Sequence, residues 1–429
     1  MAFKLKDGMS LGVAAAATQI EGGDLNHNWN DWYRRGRIKD GSDPARATDH
    51  WNRFKEDADL MAGMGLRHYR LGIEWARLCP SRDSVDQGAV SHYREELQYL
   101  RGLGISPLLT LHHFTNPMWF EELGGFTKAE NIDIFLAFVE LAVRSFGDLV
   151  SEYITINEPN VYATESYYFG TWPPGEKSIG RAMTVMGIMA VCHIRAYTLI
   201  HKIRREMGFD DTRAGFAHHM RAFDPVTPAN PLHRAGTRLM ARLFQGVITP
   251  ALCLGIFKWP LKAPRGQKIK RGEYIDFIAV NYYTRTIVSG FDAGTRKDAP
   301  LNDLGWEIYP EGMLRCLREH ESVIKRPIYI TENGTCDNTD AFRCRYINDH
   351  LKALSESELP VERYYHWCFC DNFEWAEGES ARFGLVHVDY ETQKRTVKKS
   401  GEFYRDVIRA GGVTEGIYER YVEGQKYHD

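Results

Sequence analysis

Eight times along this chain, a short apolar or β-branched run follows a turn or charged residue and leads into a longer helix-like stretch. The runs are Leu11–Thr18, Arg67–Ile73, Ser106–Leu111, Tyr153–Asn157, Ala214–His219, Asp276–Asn281, Pro327–Glu332 and Arg363–Phe369, and each is predicted to be a strand. Their starts lie roughly 40 to 60 residues apart, room for a strand, a helix and two loops. The stretches between them carry helical periodicity. Tyr93, Leu97, Leu100 and Leu103 share one face and Gly104 follows as a stop, while Phe135, Phe138, Leu141 and Phe146 form another such face. No Pro/Ser-rich linker, low-complexity tract or short repeat divides the 429 residues. Strand then helix, eight times without interruption, predicts an α/β fold with a single (β/α)8 TIM barrel as one catalytic domain over residues 1–429. A doubly wound open sheet is the competitor, but it would place a Gly-rich phosphate turn after an early strand, and none is present.

Composition narrows the partners. With 54 Lys+Arg against 57 Asp+Glu, the formal charge of -3 supplies no field for gathering nucleic acid or anionic lipid. Aromatic residues are 12% of the chain, enough for core packing and also for flat ring faces that stack on sugars. The eight cysteines contain no Cys-x-x-Cys pair, which argues against zinc or thioredoxin chemistry. Cys368 and Cys370, read as pointing the same way along a strand, stand too far apart to bond without distortion. Free buried thiols in a reducing cytosol are the expectation. The N-terminal apolar stretch lacks the continuous core of a signal peptide, and the run Ala182–Val191 stops at His193 and Arg195, short of a membrane span. The expected setting is cytoplasmic and unanchored.

A barrel places its chemistry at the C-terminal ends of its strands. Strand four ends Thr155-Ile156-Asn157-Glu158-Pro159 and strand seven ends Ile330-Thr331-Glu332-Asn333-Gly334. The separation, 332 − 158 = 174 residues, is about three strand–helix units, so both glutamates can face one barrel mouth. Two facing carboxyl groups are the minimum machinery of glycoside hydrolysis. A single glutamate at a strand end is more often a cap or an ion-pair member, and Asn333-Gly334 alone would read as a turn. The two together at this spacing favour function.

These segments resemble the signature motifs of glycoside hydrolase family 1, the retaining β-glucosidase-type enzymes: Asn157-Glu158-Pro159 and Thr331-Glu332-Asn333-Gly334. Further matches follow in family order: Thr18-Gln19-Ile20-Glu21-Gly22, Tyr69-Arg70 with Glu74-Trp75-Ala76-Arg77, His112-His113-Phe114, and Asn281-Tyr282-Tyr283. Trp367, Asp371-Asn372-Phe373-Glu374-Trp375 and Arg382-Phe383-Gly384-Leu385 complete the set. The resemblance spans nearly the whole chain and independently implies the barrel.

By that resemblance Glu158 is the general acid/base and Glu332 the nucleophile, supported by Arg70, Asn281 and Tyr283. A retaining pair stands about 5 Å apart, and like charges that close keep a proton on one partner. Arg70 and the Tyr283 hydroxyl, as implied neighbours of Glu332, favour its ionised form. Gln19, His113, Asn157 and Glu374 are the implied partners of sugar hydroxyls, with Trp375 beneath the ring and Trp367 and Phe383 lining the site. His112 is expected to point the other way.

The implied activity is retaining exo-β-glycoside hydrolysis through a covalent glycosyl-enzyme. A β-glucosidase is expected, with some tolerance of β-galactosides or β-fucosides. No metal or cofactor is expected, because His112-His113 lacks a carboxylate pattern of zinc-ligand spacing and the bond cleavage needs no Lewis acid. A 6-phospho-β-glucosidase is an alternative, weakened because a Glu374 carboxylate would repel a phosphate. A transglycosylase is another, since the same glutamates serve both; a non-catalytic sugar-binding protein would be expected to lose one glutamate. Phe114 stands where many relatives carry Trp and Cys368 where many carry Ser. The segment Asn26–Asp49 matches weakly and is expected to shape the entrance. Thr171-Trp172-Pro173-Pro174-Gly175 reads equally as an aromatic aglycone wall or a plain turn.

Overall fold

The strands of a barrel are buried on both faces, which is why each reads as a near-continuous apolar run rather than an alternation. In the computed structural model, which describes residues 2–428, the eight runs form β1 (Ser10–Ala14), β2 (His68–Gly72), β3 (Ser106–Thr110), β4 (Glu152–Asn157), β5 (Arg213–Pro225), β6 (Ile278–Ser289), β7 (Ile328–Asn333) and β8 (Val361–Trp367). Neighbours pair in parallel in the order β5-β4-β3-β2-β1-β8-β7-β6, and pairing of β5 with β6 closes the ring. This is the (β/α)8 barrel expected.

Four strands end two or more residues away from the sequence expectation. β1 stops at Ala14, and Ala17–Ile20 turns helical; the alanine run that looked strand-like contains the best helix former and no β-branched residue until Thr18. β8 stops at Trp367. The Cys368 amide leaves the ladder, donating to Phe383 O at 3.4 Å, while Phe369 N–H still reaches Ala14 O of β1 at 3.1 Å. Cys368 and Cys370 therefore lie beyond the strand, and the Cys368 thiol donates to the Cys370 carbonyl at 3.0 Å. All eight cysteines are buried free thiols. β5 and β6 run longer than expected because their outer halves pair with each other beyond the rim, Phe223 with Thr286 and Pro225 with Val288.

The helical layer comprises α1 (His50–Gly63), α2 (Gln87–Gly102), α3 (Ile132–Phe146), α4 (Ile179–Glu206), α5 (Ile248–Leu254), α6 (Pro310–Glu321), α7 (Arg343–Glu356) and α8 (Lys399–Ala410). α2 starts on Asp86, whose carboxylate accepts from Ala89 N–H at 3.0 Å, and Gly104 then reverses the chain at φ +74°. Its Tyr93, Leu97 and Leu100 are buried, as are Phe135, Phe138 and Phe146 of α3, with Leu141 only partly covered. α4 continues through His193 and Arg195 to Glu206 and is long and apolar enough to cross a membrane, but 67% of its most apolar window is buried inside the protein. Its apolarity is accounted for as core.

Pairing is irregular at the C-terminal end of β4 and early in β6, with register shifts between Ile154 and Asn157 and between Val280 and Asn281. Glu158, directly after β4, is left-handed at φ 44°. For a non-glycine residue this is an uncommon conformation, and it lets two consecutive side chains, Asn157 and Glu158, share one network where strand alternation would separate them.

Candidate active site

Arg70, from the middle of β2, is fully buried and organises the barrel floor. Its Nε donates to Thr110 Oγ1 at 3.1 Å, one Nη to Asn157 Oδ1 at 2.6 Å, and the other to Thr331 O at 3.1 Å and to a carboxylate oxygen of Glu332. The second Glu332 oxygen accepts from the Tyr283 hydroxyl at 2.5 Å. Asn281 donates to Asn157 Oδ1 at 3.0 Å and to Glu158 Oε1 at 2.8 Å, while its own oxygen accepts from Thr331 Oγ1 at 2.7 Å. β2, β4, β6 and β7 thus meet through side chains that the sequence places on separate strands.

Both glutamates line a cavity of ≈ 260 Å³ with His113, Tyr283, Trp367, Glu374, Trp375 and Phe383. Asn157 Nδ2 lies 2.9 Å from His113 Nε2. His112 points away, with Nε2 2.9 Å from Asn116 Oδ1 and its ring edge-on to Phe126 and Phe135. Gln19 sits on the short helix after β1 and donates to Phe373 O at 2.9 Å and to Glu374 Oε2 at 3.2 Å. The loop carrying Glu374 and Trp375 is pinned by Asp371, which accepts from Lys398 Nζ at 2.6 Å, Arg382 Nη1 at 2.9 Å and Gly384 N–H at 3.0 Å. Burial is the largest cause that raises the Glu332 and Glu374 carboxyls of this site. Glu332 is driven up to about 7, burial and the Glu158 charge outweighing Arg70 and Tyr283. Glu374 is driven up to about 8 by burial and the Glu332 charge, against hydrogen bonds from Trp367 and Gln19. Arg70 and Tyr283 favour the ionised form of Glu332, as expected, but burial and the Glu158 charge outweigh them; burial likewise favours the protonated form of Glu374, so its bar to a phosphate does not rest on charge repulsion alone.

Of the two facing glutamates, negative charge is better satisfied on Glu332, whose two oxygens meet a guanidinium and a phenol. Glu158 receives its two contacts on Oε1 alone, from Asn281 and from His219 Nδ1 at 3.0 Å. Arg221 Nε donates to His219 Nε2 at 3.0 Å, so the network assigns the ring proton to Nδ1, which donates to Glu158.

His219 and Arg221 escaped the sequence reading, although two polar residues at i and i+2 near the end of a strand are the signal that points to a barrel mouth. Trp29 and Trp306 were missed too. Trp29 lies in the weakly matching Asn26–Asp49 segment and packs behind Trp375 with ring centroids 4.8 Å apart. Trp306 lines the cavity and meets Tyr283 edge-on at 5.8 Å. In Thr171–Gly175 the two readings coexist: Pro173-Pro174 form a turn, and Trp172 lines the cavity, 4.8 Å from the Phe114 ring and 6.0 Å from Trp375.

A (β/α)8 barrel with two buried carboxyls facing one cavity walled by tryptophans has the machinery of a glycoside hydrolase. Residues 2–413 match the model of the family described as glycosyl hydrolase family 1, and the chain belongs to that family. It is 33% identical to "Beta-glucosidase A" of Thermotoga maritima, over 96% of this chain and 99% of that protein. Among solved structures it is similar to the β-glycosidase from Pyrococcus horikoshii, with TM-score 0.88 and 31% identity over 99% of this chain and 100% of that one. It is likewise similar to the Thermotoga maritima β-glucosidase in complex with glucoimidazole, with TM-score 0.86 and 30% identity over 96% and 100%.

Proposed function

We propose that the protein is a retaining β-glucosidase that hydrolyses non-phosphorylated β-glucosides. The observation that carries this reading is the pair of buried glutamates on one cavity, with only Glu332 held by a guanidinium and a phenol. The Glu332 carboxylate attacks the anomeric carbon as Glu158 delivers a proton to the departing glycosidic oxygen. A glycosyl ester forms on Glu332, whose negative charge is thereby lost. Glu158, now without a charged neighbour, takes a proton from water, and the hydroxide oxygen displaces Glu332 with the β configuration regained. Asn157 is placed by Arg70 and Asn281 to bond a sugar hydroxyl, Gln19 and Glu374 to bond others, and Trp375 to carry the ring.

Glu374 also supports the choice of unphosphorylated substrate, by a route that differs from charge repulsion. Burial keeps its carboxyl largely protonated near neutral pH. Among the described residues no lysine or arginine pairs with it, so a 6-phosphate placed there would lose its hydration without gaining a cation. The test is turnover of 4-nitrophenyl β-glucoside by the wild type, Glu332→Gln and Glu158→Gln, with product anomer followed by NMR. Loss of turnover in both variants and β-glucose as first product are expected. Unchanged turnover in either variant, first-formed α-glucose, or faster cleavage of the 6-phosphoglucoside would reject the reading.

A further inference from the structure

Charge is segregated along this chain. From Pro225 to Gly272 there is no aspartate or glutamate, yet nine cations, from Arg234 to Arg271, fall in that stretch. Only 45 of the 54 Lys+Arg are left to face all 57 Asp+Glu elsewhere, so the formal charge of -3 averages over a strongly basic segment. All nine cations are exposed, and none forms an ion pair among the described residues. The acids at its edges are engaged by other partners: Asp224 accepts from Arg315 at 2.8 Å and Glu273 pairs with Arg326. Lys268 and Lys270 share a cleft with Asp133 and Glu140, but those pair with Arg195 and Arg144, each at 2.7 Å. Asp292 is the acid left beside the segment.

Apolar exposure gathers in the same part of the molecule. Among the described residues nine large apolar side chains stand strongly exposed, and eight of them lie between Tyr168 and Phe291. Trp259 is the most exposed at 74%, with Phe291 at 72% and Leu232 at 57%. The helix Pro231–Ala241 shows how the two features combine. Arg234, Arg238 and Arg242, at i, i+4 and i+8, form an exposed row flanked by the exposed Leu232 and Leu239. Gly236 is buried on the opposite side, where a Cβ would strike Gly290 O at 1.7 Å, so that side rests on the turn carrying Phe291. Arg242 donates to Trp259 O at 2.7 Å, and Trp259 shares a hollow with Ile179 and Lys262. Leu232, Leu239, Trp259 and Phe291 thus belong to one basic face. Exposed apolar surface of this kind marks an interaction site. Nucleic acid would use the cations but not the leucines. A boundary of anionic headgroups and acyl chains uses both, because phosphates meet the cations while indole and aliphatic groups enter below them.

We propose that this face docks the protein reversibly on an anionic lipid bilayer, with Trp259, Leu232 and Leu239 entering the headgroup region. Docking is read without substrate, so the β-glucosidase reading stands or falls separately. The experiment is co-sedimentation with phosphatidylcholine vesicles, with and without about one-third phosphatidylglycerol. Wild type is compared with Lys258→Gln/Lys262→Gln and with Trp259→Ser, all three positions being exposed. We expect binding to the anionic vesicles alone and its release at about 0.5 M salt. The lysine variant should lose roughly twenty- to thirtyfold in partition coefficient. Trp259→Ser should lose roughly tenfold, and with it the vesicle-induced blue shift of tryptophan fluorescence. Unchanged hydrolysis of 4-nitrophenyl β-glucoside by both variants shows that they are folded. No binding to anionic vesicles, equal binding to neutral ones, or binding that both variants retain overturns the proposal. So does binding of heparin or duplex DNA without vesicle binding, or a dimer in vesicle-free solution that Trp259→Ser dissociates.

Discussion

Two buried charge clusters in this protein use the same residue types to opposite ends. The first joins α1, α2 and the short strand Arg395–Val397: Asp57 accepts from His50 Nδ1 at 2.7 Å and Arg395 Nε at 2.9 Å, while His50 Nε2 lies 3.0 Å from Glu96. Burial disfavours charge on both Asp57 and His50, but their mutual hydrogen bonds, with those from Arg395 and to Glu96, overcome it. Asp57 ends below its ordinary range and His50 rises to about 10. Two acids face two cations and the cluster is balanced. The catalytic cluster sets Glu158, Glu332 and Glu374 against Arg70 alone among the residues that pair with them as permanent cations. Burial, with the neighbouring acid in each case, drives Glu332 up to about 7 and Glu374 up to about 8. A balanced cluster stabilises the fold, while an acid-rich one holds a mobile proton at the expense of stability.

The contrast breaks most sharply at Glu332. Glu332→Gln keeps the shape and the Tyr283 neighbour but removes the nucleophile, and kcat should fall by roughly 10⁴-fold or more. Steady-state hydrolysis of an aryl β-glucoside measures it, and a loss under tenfold would place the nucleophile elsewhere. In the balanced cluster the sign reverses. Asp57→Asn leaves Arg395 buried without its counter-charge and His50 with Glu96 alone, at a cost of about 3–5 kcal/mol in folding. Urea unfolding should register that loss while kcat per folded molecule stays unchanged. An equal loss of kcat would mean the cluster shapes the site as well.

Glu374 tests the other half of the comparison through pH. Its folded value, about 8, lies above the unfolded value of 4.5. Between the two, the unfolded chain has released a proton that the folded protein still holds, so unfolding gains as pH rises. The penalty is absent below pH 4.5, reaches about 3 kcal/mol at pH 7 and is complete above pH 8. Glu374→Gln removes it. The variant should melt a few degrees above the wild type at pH 8, with the gap closing towards pH 4.5, even as sugar affinity drops. A gap independent of pH would show that Glu374 is ionised in the folded protein.

The same contrast explains what could be read from the chain. Strand cores were visible because a closed parallel sheet buries both faces and writes each strand as an apolar run. The Ala14–Ile20 boundary was not, because alanine serves strand and helix alike in a buried setting. Glu158 and Glu332 stood out as acids ending apolar runs. That Asn157 and Glu158 could share a network depended on the left-handed backbone at Glu158, which no side-chain pattern announces. The raised pKa values of Glu332 and Glu374 were hidden for a similar reason. They arise from burial summed over several strands, and Glu374 meets Gln19 across 355 positions of sequence.

His219 gives the smallest effect and the finest test, because it ties the acid-rich cluster to an arginine outside it. Its Nδ1–H and Asn281 both bond Oε1 of Glu158, which directs the proton to be transferred towards Oε2. His219→Ala removes one of those bonds, worth about 1 kcal/mol, and should lower kcat/KM for an alkyl β-glucoside roughly five- to tenfold. A 2,4-dinitrophenyl leaving group departs without a proton, so the same variant should cleave that glucoside at close to the wild-type rate. His219→Asn, which can return an N–H to Oε1, should restore most of the alkyl glucoside rate. Equal losses on both substrates would instead mean that His219 only fills space beside Tyr283, whose ring it stacks on at 5.8 Å.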